Sequence, residues 1–253
     1  METEFIRINK FLSEAGVCSR RGADRLVEEG RVTIDGKVAV LGDQILPGQK
    51  VLVDGREIQR EDEKILLAFH KPKGIVCTAE KREKNNIIDY IHYPKRIYPV
   101  GRLDKDSEGL LLLTNDGELG NEILRARNFH EKEYLVTVDQ PFNAAFLKKM
   151  REGVELKELG VTTRPCKVEA AGVKTFRIIL TQGLNRQIRR MCAELGYRVV
   201  TLKRVRIMNI HLGKLNTGDF RRATPKELEE LEWQLEQARL EREEAELLAG
   251  QDE

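Results

Sequence analysis

Tyr98-Pro-Val-Gly-Arg-Leu-Asp-Lys-Asp-Ser-Glu-Gly-Leu-Leu-Leu-Leu-Thr114 is the stretch on which the reading of this chain turns. Residues 110–113 are four leucines in a row, long enough for a buried strand. Asn115-Asp116-Gly117 behind them reads as a turn. Ahead of the strand lies a loop containing Gly101, Arg102 and Asp104. A carboxylate is thus held just before a rigid core element, beside a glycine that lets backbone or ligand approach closely. Taken alone, such an Asp caps a turn or pairs with a neighbouring Arg. Arg102 correspondingly reads as an ion-pair partner of Asp104 or Asp106.

Upstream, residues 7–30 read as two short helices. Ile8, Phe11, Leu12 and Ala15 recur at i, i+3, i+4 and i+7 on one face, and Gly16 closes the first helix. Ser19 is placed as N-cap of the second, with Ala23, Leu26 and Val27 inward and Gly30 at its end. Arg20, Arg21 and Arg25 fall toward its outer side. Asp35-Gly36 and Asp54-Gly55 each sit between short apolar runs, the signal of two hairpins. A charged run at 59–64 reads as a linker. A strand at 65–69 follows, broken by Lys71-Pro72-Lys73-Gly74.

Downstream, a helix is expected at 118–125. Residues 131–138 alternate as a strand with Tyr134, Val136 and Val138 on one face. A helix at 142–150, strands at 161–170 and 176–180, a helix at 184–195 and a long strand at 199–210 complete the order. The last helix, 225–248, places Leu228, Leu231, Leu235 and Ala238 at heptad-like spacing. There are no internal repeats.

Composition fits a globular protein with a charged surface, at 40% hydrophobic and 34% charged residues. No apolar run approaches the roughly 20 residues needed to span a bilayer, and the N-terminus lacks the layout of a secretory signal. Cys18, Cys77, Cys166 and Cys192 are scattered without a C-x-x-C pair, which points to a reducing, cytoplasmic setting and away from a zinc site. The net charge of +2 hides an asymmetry: residues 225–253 hold 11 acids and 3 bases, whereas 185–222 hold 10 bases and 2 acids. A one-signed basic stretch is the footprint of a polyanion partner. Residues 1–60 hold 10 of each, so only the local Arg20/Arg21/Arg25 cluster supports phosphate contacts there.

The run G-R-L-D-x-x-S-x-G-L-L resembles the nucleophile motif of the pseudouridine synthases, in the branch that contains the RsuA, RluB, RluE and RluF enzymes. H-K-P-K-G-I-V-C-T is similar to that family's first motif, with His70 where the family usually has Asn. K-E-Y supplies its K-x-Y motif, and G-L-N-R-Q-I-R-R-M-C its third. The strings in the second half look most like those of the large-subunit enzymes. R-I-N-K-F-L-S-E-A-G-V-C-S-R-R-x-A-D resembles the opening of the S4 RNA-binding domain.

The resemblance implies an α+β chain. A small S4-like domain, two helices plus a small sheet, would occupy 1–58, followed by the linker 59–64. A catalytic domain with a mixed, largely antiparallel sheet flanked by helices would occupy 65–224, and an acidic helix 225–253. It further implies isomerisation of a uridine in ribosomal RNA, with the base flipped out of a stem-loop, by a monomer. Neither a cofactor nor a metal is expected, and no P-loop or dinucleotide fingerprint is present.

By the same resemblance Asp104 acts as covalent nucleophile or as base at the sugar, with attack at ribose, attack at the base and a glycal route all open. Arg189 keeps that carboxylate ionised, and Tyr134 stacks on the uracil. Arg102 braces the space the base leaves. Asn185, Arg186 and Arg190 join Arg20, Arg21 and Arg25 as RNA contacts. His70 is given no role. Two other classes compete. One is a non-catalytic RNA-binding or assembly protein. The other is a nucleoside-type glycosidase, which would want a second carboxylate.

Overall fold

A computed structural model describes residues 5–59, 63–80, 82–125 and 129–249. Contacts divide the chain into two compact bodies. Of the linker expected at 59–64, residues 60–62 lie outside the described residues.

The first body runs β1 (Ile6–Arg7), α1 (Ile8–Glu14), α2 (Arg20–Glu28), β2 (Val32–Ile34), β3 (Lys37–Val38), β4 (Gln44–Ile45), β5 (Val51–Val53) and β6 (Arg56–Ile58). Residues 93–97 and 115–117 group with it. Ser19 caps α2 by accepting the Gly22 N–H at 3.1 Å. Both hairpin turns have positive φ at their two central residues: 48° and 81° at Asp35-Gly36, 50° and 77° at Asp54-Gly55. That is the conformation of two-residue turns that match strand twist, and Asp-Gly tolerates it. The four strands order as β3-β2-β5-β6. Ile8, Leu12, Ala23, Val27, Val32 and Val51 form the core between helices and sheet. The β1–β4 pair escapes sequence reading because two-residue strands carry no periodicity.

The second body begins with β7 (Leu66–Lys71), α3 (Ile87–Ile91), β8 (Tyr98–Val100), β9 (Glu108–Thr114) and α4 (Gly117–Leu124). It continues through β10 (Lys132–Val138), α5 (Ala144–Glu152), β11 (Glu155–Leu156), β12 (Val161–Thr162), β13 (Lys167–Ala170) and β14 (Thr175–Leu180). It ends with α6 (Gln187–Glu194), β15 (Val199–Ile207), β16 (Ile210–His211), β17 (Phe220–Arg222) and α7 (Pro225–Ala249). The main sheet orders as β13-β14-β10-β15-β9-β7-β17, with β8 on β9 and β16 on β15. Its pairs are antiparallel except β15 with β9. Leu110, Leu111, Leu112 and Leu113 are fully buried, so β9 is the spine of this body. Each such side chain contributes about 1.5–3 kcal/mol. The single strand expected at 161–170 is two, since Pro165 cannot donate to a ladder.

Helix α7 packs Leu231 and Leu235 into the same core as Leu66, Leu112 and Ile210. Its start is a capping box: the Thr224 hydroxyl accepts the Glu227 N–H at 3.2 Å, and the Glu227 carboxylate accepts the Thr224 N–H at 2.8 Å. Arg221 adds two hydrogen bonds of 2.7 Å to that carboxylate and, with Thr224, holds its pKa down at about 2. Glu227→Ala should therefore cost about 1–2 kcal/mol, read as a lower urea midpoint at pH 7. The sign follows from the lowered pKa. The contribution is whole above the ordinary value of 4.5 and fades as pH falls toward about 2, so the gap between wild type and variant should close in acid.

Candidate active site

The loop from Gly101 to Ser107 is held in place through its backbone. The Gly74 N–H donates to the Lys105 carbonyl at 2.7 Å, and the Ser107 N–H to the Asp104 carbonyl at 3.0 Å. The Leu103 N–H donates to Cys77 Sγ, whose thiol donates to the Leu103 carbonyl at 3.2 Å. Lys71, fully buried, donates from Nζ to the carbonyls of Ser107 and Pro72 at 2.8 Å each. Burial pushes the Lys71 ammonium down; Arg204 adds to this, while Cys77, Asp104 and Asp106 oppose it. Arg204, 3% exposed, donates from Nε to the Leu110 carbonyl at 2.7 Å and from Nη1 to the Arg102 carbonyl at 3.4 Å.

Gly109 explains the second glycine of the motif. Strands β9 and β15 approach so closely there that an added Cβ would lie 2.2 Å from the Arg204 carbonyl oxygen. Its φ of +113° is one that side chains disfavour.

This loop forms one wall of a cleft of about 440 Å³, within the span of small-ligand sites. Tyr134, Lys132 and His130 line it from β10 and the residue region before it, Arg204 and Leu202 from β15, and Gln182 to Ile188 from the start of α6. Asp104 and Tyr134 thus share the cleft, and the Asp104 side chain is 38% exposed. Tyr134 reaches this face by strand alternation, opposite Arg204 in register.

The guanidinium within ion-pair reach of Asp104 is that of Arg186, at 3.7 Å, rather than that of Arg189. Arg186 precedes α6 in the left-handed conformation, with φ 50°, and also donates to both Asp106 oxygens at 3.1 and 3.4 Å. One turn further on, Arg189 is committed to the loop itself. It donates to the Asp106 carbonyl at 3.3 Å and the Ser107 hydroxyl at 3.2 Å, and pairs with the Asp106 carboxylate. Burial pushes the Asp106 carboxyl up, but the Arg186 hydrogen bond and the charges of Arg189 and Arg186 outweigh it and hold the pKa below the ordinary range.

Arg102 makes no ion pair with Asp104 or Asp106 and is exposed at the cleft. Arg190 is occupied by the Asn185 carbonyl and side chain and by Glu158. His70 is buried, with Nδ1 at 2.8 Å from the Leu215 carbonyl. In the first body Arg20, Arg21 and Arg25 are all exposed on α2, opposite buried Ala23 and Val27.

Lys71, Lys132 and Arg204 are site residues that sequence reasoning passed over. The first two stand inside motifs already noticed, and Lys132 falls two residues before Tyr134, on its face of the strand. Arg204 falls on the long strand expected at 199–210 and opens the string R-x-R-I-M-N, within the basic stretch 185–222. Among the described residues no group of three or more His, Cys, Asp or Glu could hold a metal ion, and no helix is long and apolar enough to cross a membrane.

A mixed sheet carrying a loop carboxylate, a facing tyrosine and a ring of arginines defines a class, and sequence comparison agrees: the chain belongs to the RNA pseudouridylate synthase family, matched over residues 65–194. An S4 domain is matched over residues 6–51. Within the family the chain is similar to the dual-specificity RNA pseudouridine synthase RluF of Salmonella typhi, at 53% identity over 89% of this chain and 78% of that one. It is 52% identical to the Escherichia coli K12 RluF over the same shares. The ribosomal large subunit pseudouridine synthase B of Bacillus subtilis is 35% identical over 89% of this chain and 95% of its own. A crystal structure of a pseudouridylate synthase superposes with a TM-score of 0.66 at 29% identity, covering 89% of this chain and 99% of that one.

Proposed function

We propose that this pseudouridine synthase isomerises a specific uridine of ribosomal RNA, in the large subunit, with Asp104 as its nucleophile. The observation that carries this reading is the shared cleft of Asp104 and Tyr134, with Arg186 beside the carboxylate. The relatives named above add the substrate class.

In this reading the target base leaves its stem-loop and enters the cleft. Arg102, exposed and without an ion pair among the described residues, braces the vacated position. Asp104 attacks or deprotonates the sugar while Arg186, 3.7 Å away, orients the carboxylate. Arg189 acts through the backbone, fixing the Asp106–Ser107 end of the loop so that the carboxylate is preorganised. Tyr134 stacks on the uracil and stands where a proton leaves C5. The exposed face of Arg20, Arg21 and Arg25 contacts phosphates away from the target, setting register. Asn185 and Arg186 extend the contact surface beside the cleft, and Arg190 supports Asn185. The enzyme works as a cytoplasmic monomer.

Mapping pseudouridines in ribosomal RNA from cells with and without this protein tests the proposal. One or a few large-subunit positions should lose the modification in the deleted strain. An unchanged large-subunit map would overturn the substrate assignment.

A further inference from the structure

The cleft that Asp104 lines also holds cations with no carboxylate partner among the described residues. Lys132 and Tyr134 are two apart on β10 and both line the cleft. Glu131 and Glu133 point the other way, where Arg206 holds both at 2.9 and 2.8 Å. Lys132 therefore has no carboxylate partner among the described residues. Its Nζ meets only the His130 carbonyl, at the outer limit of 3.5 Å. The contrast with Lys71 is plain, since that ammonium has two carbonyls at 2.8 Å. Behind Lys132, Arg204 is 97% buried by the measure of 3% exposure, yet its Nη2 has no hydrogen-bond partner, and neither has Nε2 of buried His130. A buried donor or acceptor without a partner costs free energy unless a ligand supplies one. All three residues line the same cleft.

We propose that Lys132 is a catalytic residue that donates a hydrogen bond to a carbonyl oxygen of the uracil and stabilises the negative charge the ring carries while detached, with Arg204 behind it reinforcing the field. This rests on the reading of the cleft as the uridine site. When the bond from C1′ to N1 breaks, its electron pair stays on the ring, spread over N1, O2 and O4. If Asp104 adds to the base instead, the charge falls on the same carbonyl system. Lys132 keeps its proton throughout. The pair returns in the new C1′–C5 bond, a proton leaves C5, and one is taken up at N1, so atoms and charge balance. A preorganised donor aimed at developing charge favours the transition state over the bound substrate. Tyr134, on the same strand face, would stack on the ring whose edge Lys132 grips.

Burial, with Arg204 adding to it, lowers the Lys132 pKa from 10.5 to about 8. The ammonium is present below that pH and lost above it, so the chemical step should slow as pH rises through about 8. The charged and titratable groups facing the cleft with it are His130 and Tyr134 on its own strand side, Arg204 on β15, Asp104 and Arg102 on the loop, Arg125 after α4, and Arg186 before α6. Arginine substitution at 132 separates its titration from theirs.

The test is the single-turnover rate at saturating ribosomal RNA fragment, measured against pH for wild type, Lys132→Met, Lys132→Arg and Asp104→Asn. Lys132→Met should lower the rate about 100-fold with RNA affinity little changed. Lys132→Arg should keep a substantial rate and lose the descending limb near pH 8, because a guanidinium stays charged to about pH 12. A Lys132→Met rate equal to wild type, a loss confined to affinity, or a Lys132→Arg profile that still falls near pH 8 would each overturn the proposal. Should Lys132→Met fail to fold, the Lys132→Arg profile decides alone. An active Asp104→Asn would instead sink the nucleophile reading, so the two failures are distinguishable.

Discussion

Asp104→Asn should reduce turnover by a factor on the order of 10⁴ or more, the scale seen when a covalent nucleophile is removed. The variant should leave the fold and RNA affinity close to wild type. The structure explains the separation. The clamps on the loop from Gly74, Cys77, Lys71 and Arg189 fall on backbone groups, Ser107 and Asp106, and none uses the Asp104 side chain. Asn keeps the shape and removes the charge. Arg186 retains Asp106 as partner, so no guanidinium is stranded. Release of tritium from C5-labelled uridine in substrate RNA measures the reaction, and turnover above a trace would remove Asp104 from its role.

Gly109→Ala should be the most damaging small substitution in the second body. The added Cβ would sit 2.2 Å from the carbonyl oxygen and 2.5 Å from the nitrogen of Arg204, both backbone atoms of a buried strand. No side chain can swing away to make room. The φ of +113° adds strain of its own, of order 1–3 kcal/mol, and forcing apart a packed strand pair adds about 1–3 kcal/mol more. The two together, roughly 2–6 kcal/mol, correspond to a fall in melting temperature of about 5–20 °C. Because the same strand contact positions Arg204, which holds the carbonyls of Arg102 and Leu110, activity should fall as well. Thermal unfolding followed by circular dichroism checks the first effect; a melting temperature within a degree of wild type would show that β15 can move.

Much of this was open to reading in the chain itself, for identifiable reasons. Four leucines without a break need a strand covered on both faces, and 110–113 are fully buried. Asp-Gly between β-formers makes a tight hairpin, and both such turns are present. Motif spacing fixes which element carries Asp104 and which Tyr134, and the two line one cleft. Pairings of distant pieces were not legible. Strand β17 joins β7 across about 150 residues through three residue pairs, and three residues give no pattern. Which arginine stands beside Asp104 depends on the left-handed turn at Arg186, a tertiary outcome. Lys132 was visible as a letter in a motif, but that it has no carboxylate partner among the described residues is a feature of space that the sequence cannot display.

The parallel joint between β15 and β9 has a temporal consequence. Strand β9 meets β7 along one edge and β8 along part of the other, both made before it or within a few residues. The remaining part of that edge, at Glu108 and Gly109 beside the Asp104 loop, is met only by Lys203 and Arg204. A ribosome adds almost a hundred residues between the two. The growing chain therefore carries a nearly finished S4 domain and a half-covered leucine strand for several seconds at ordinary synthesis speeds, with the Asp104 cleft not yet walled in. Catalytic competence is thus a late property of the nascent chain, whereas the means of touching RNA comes early.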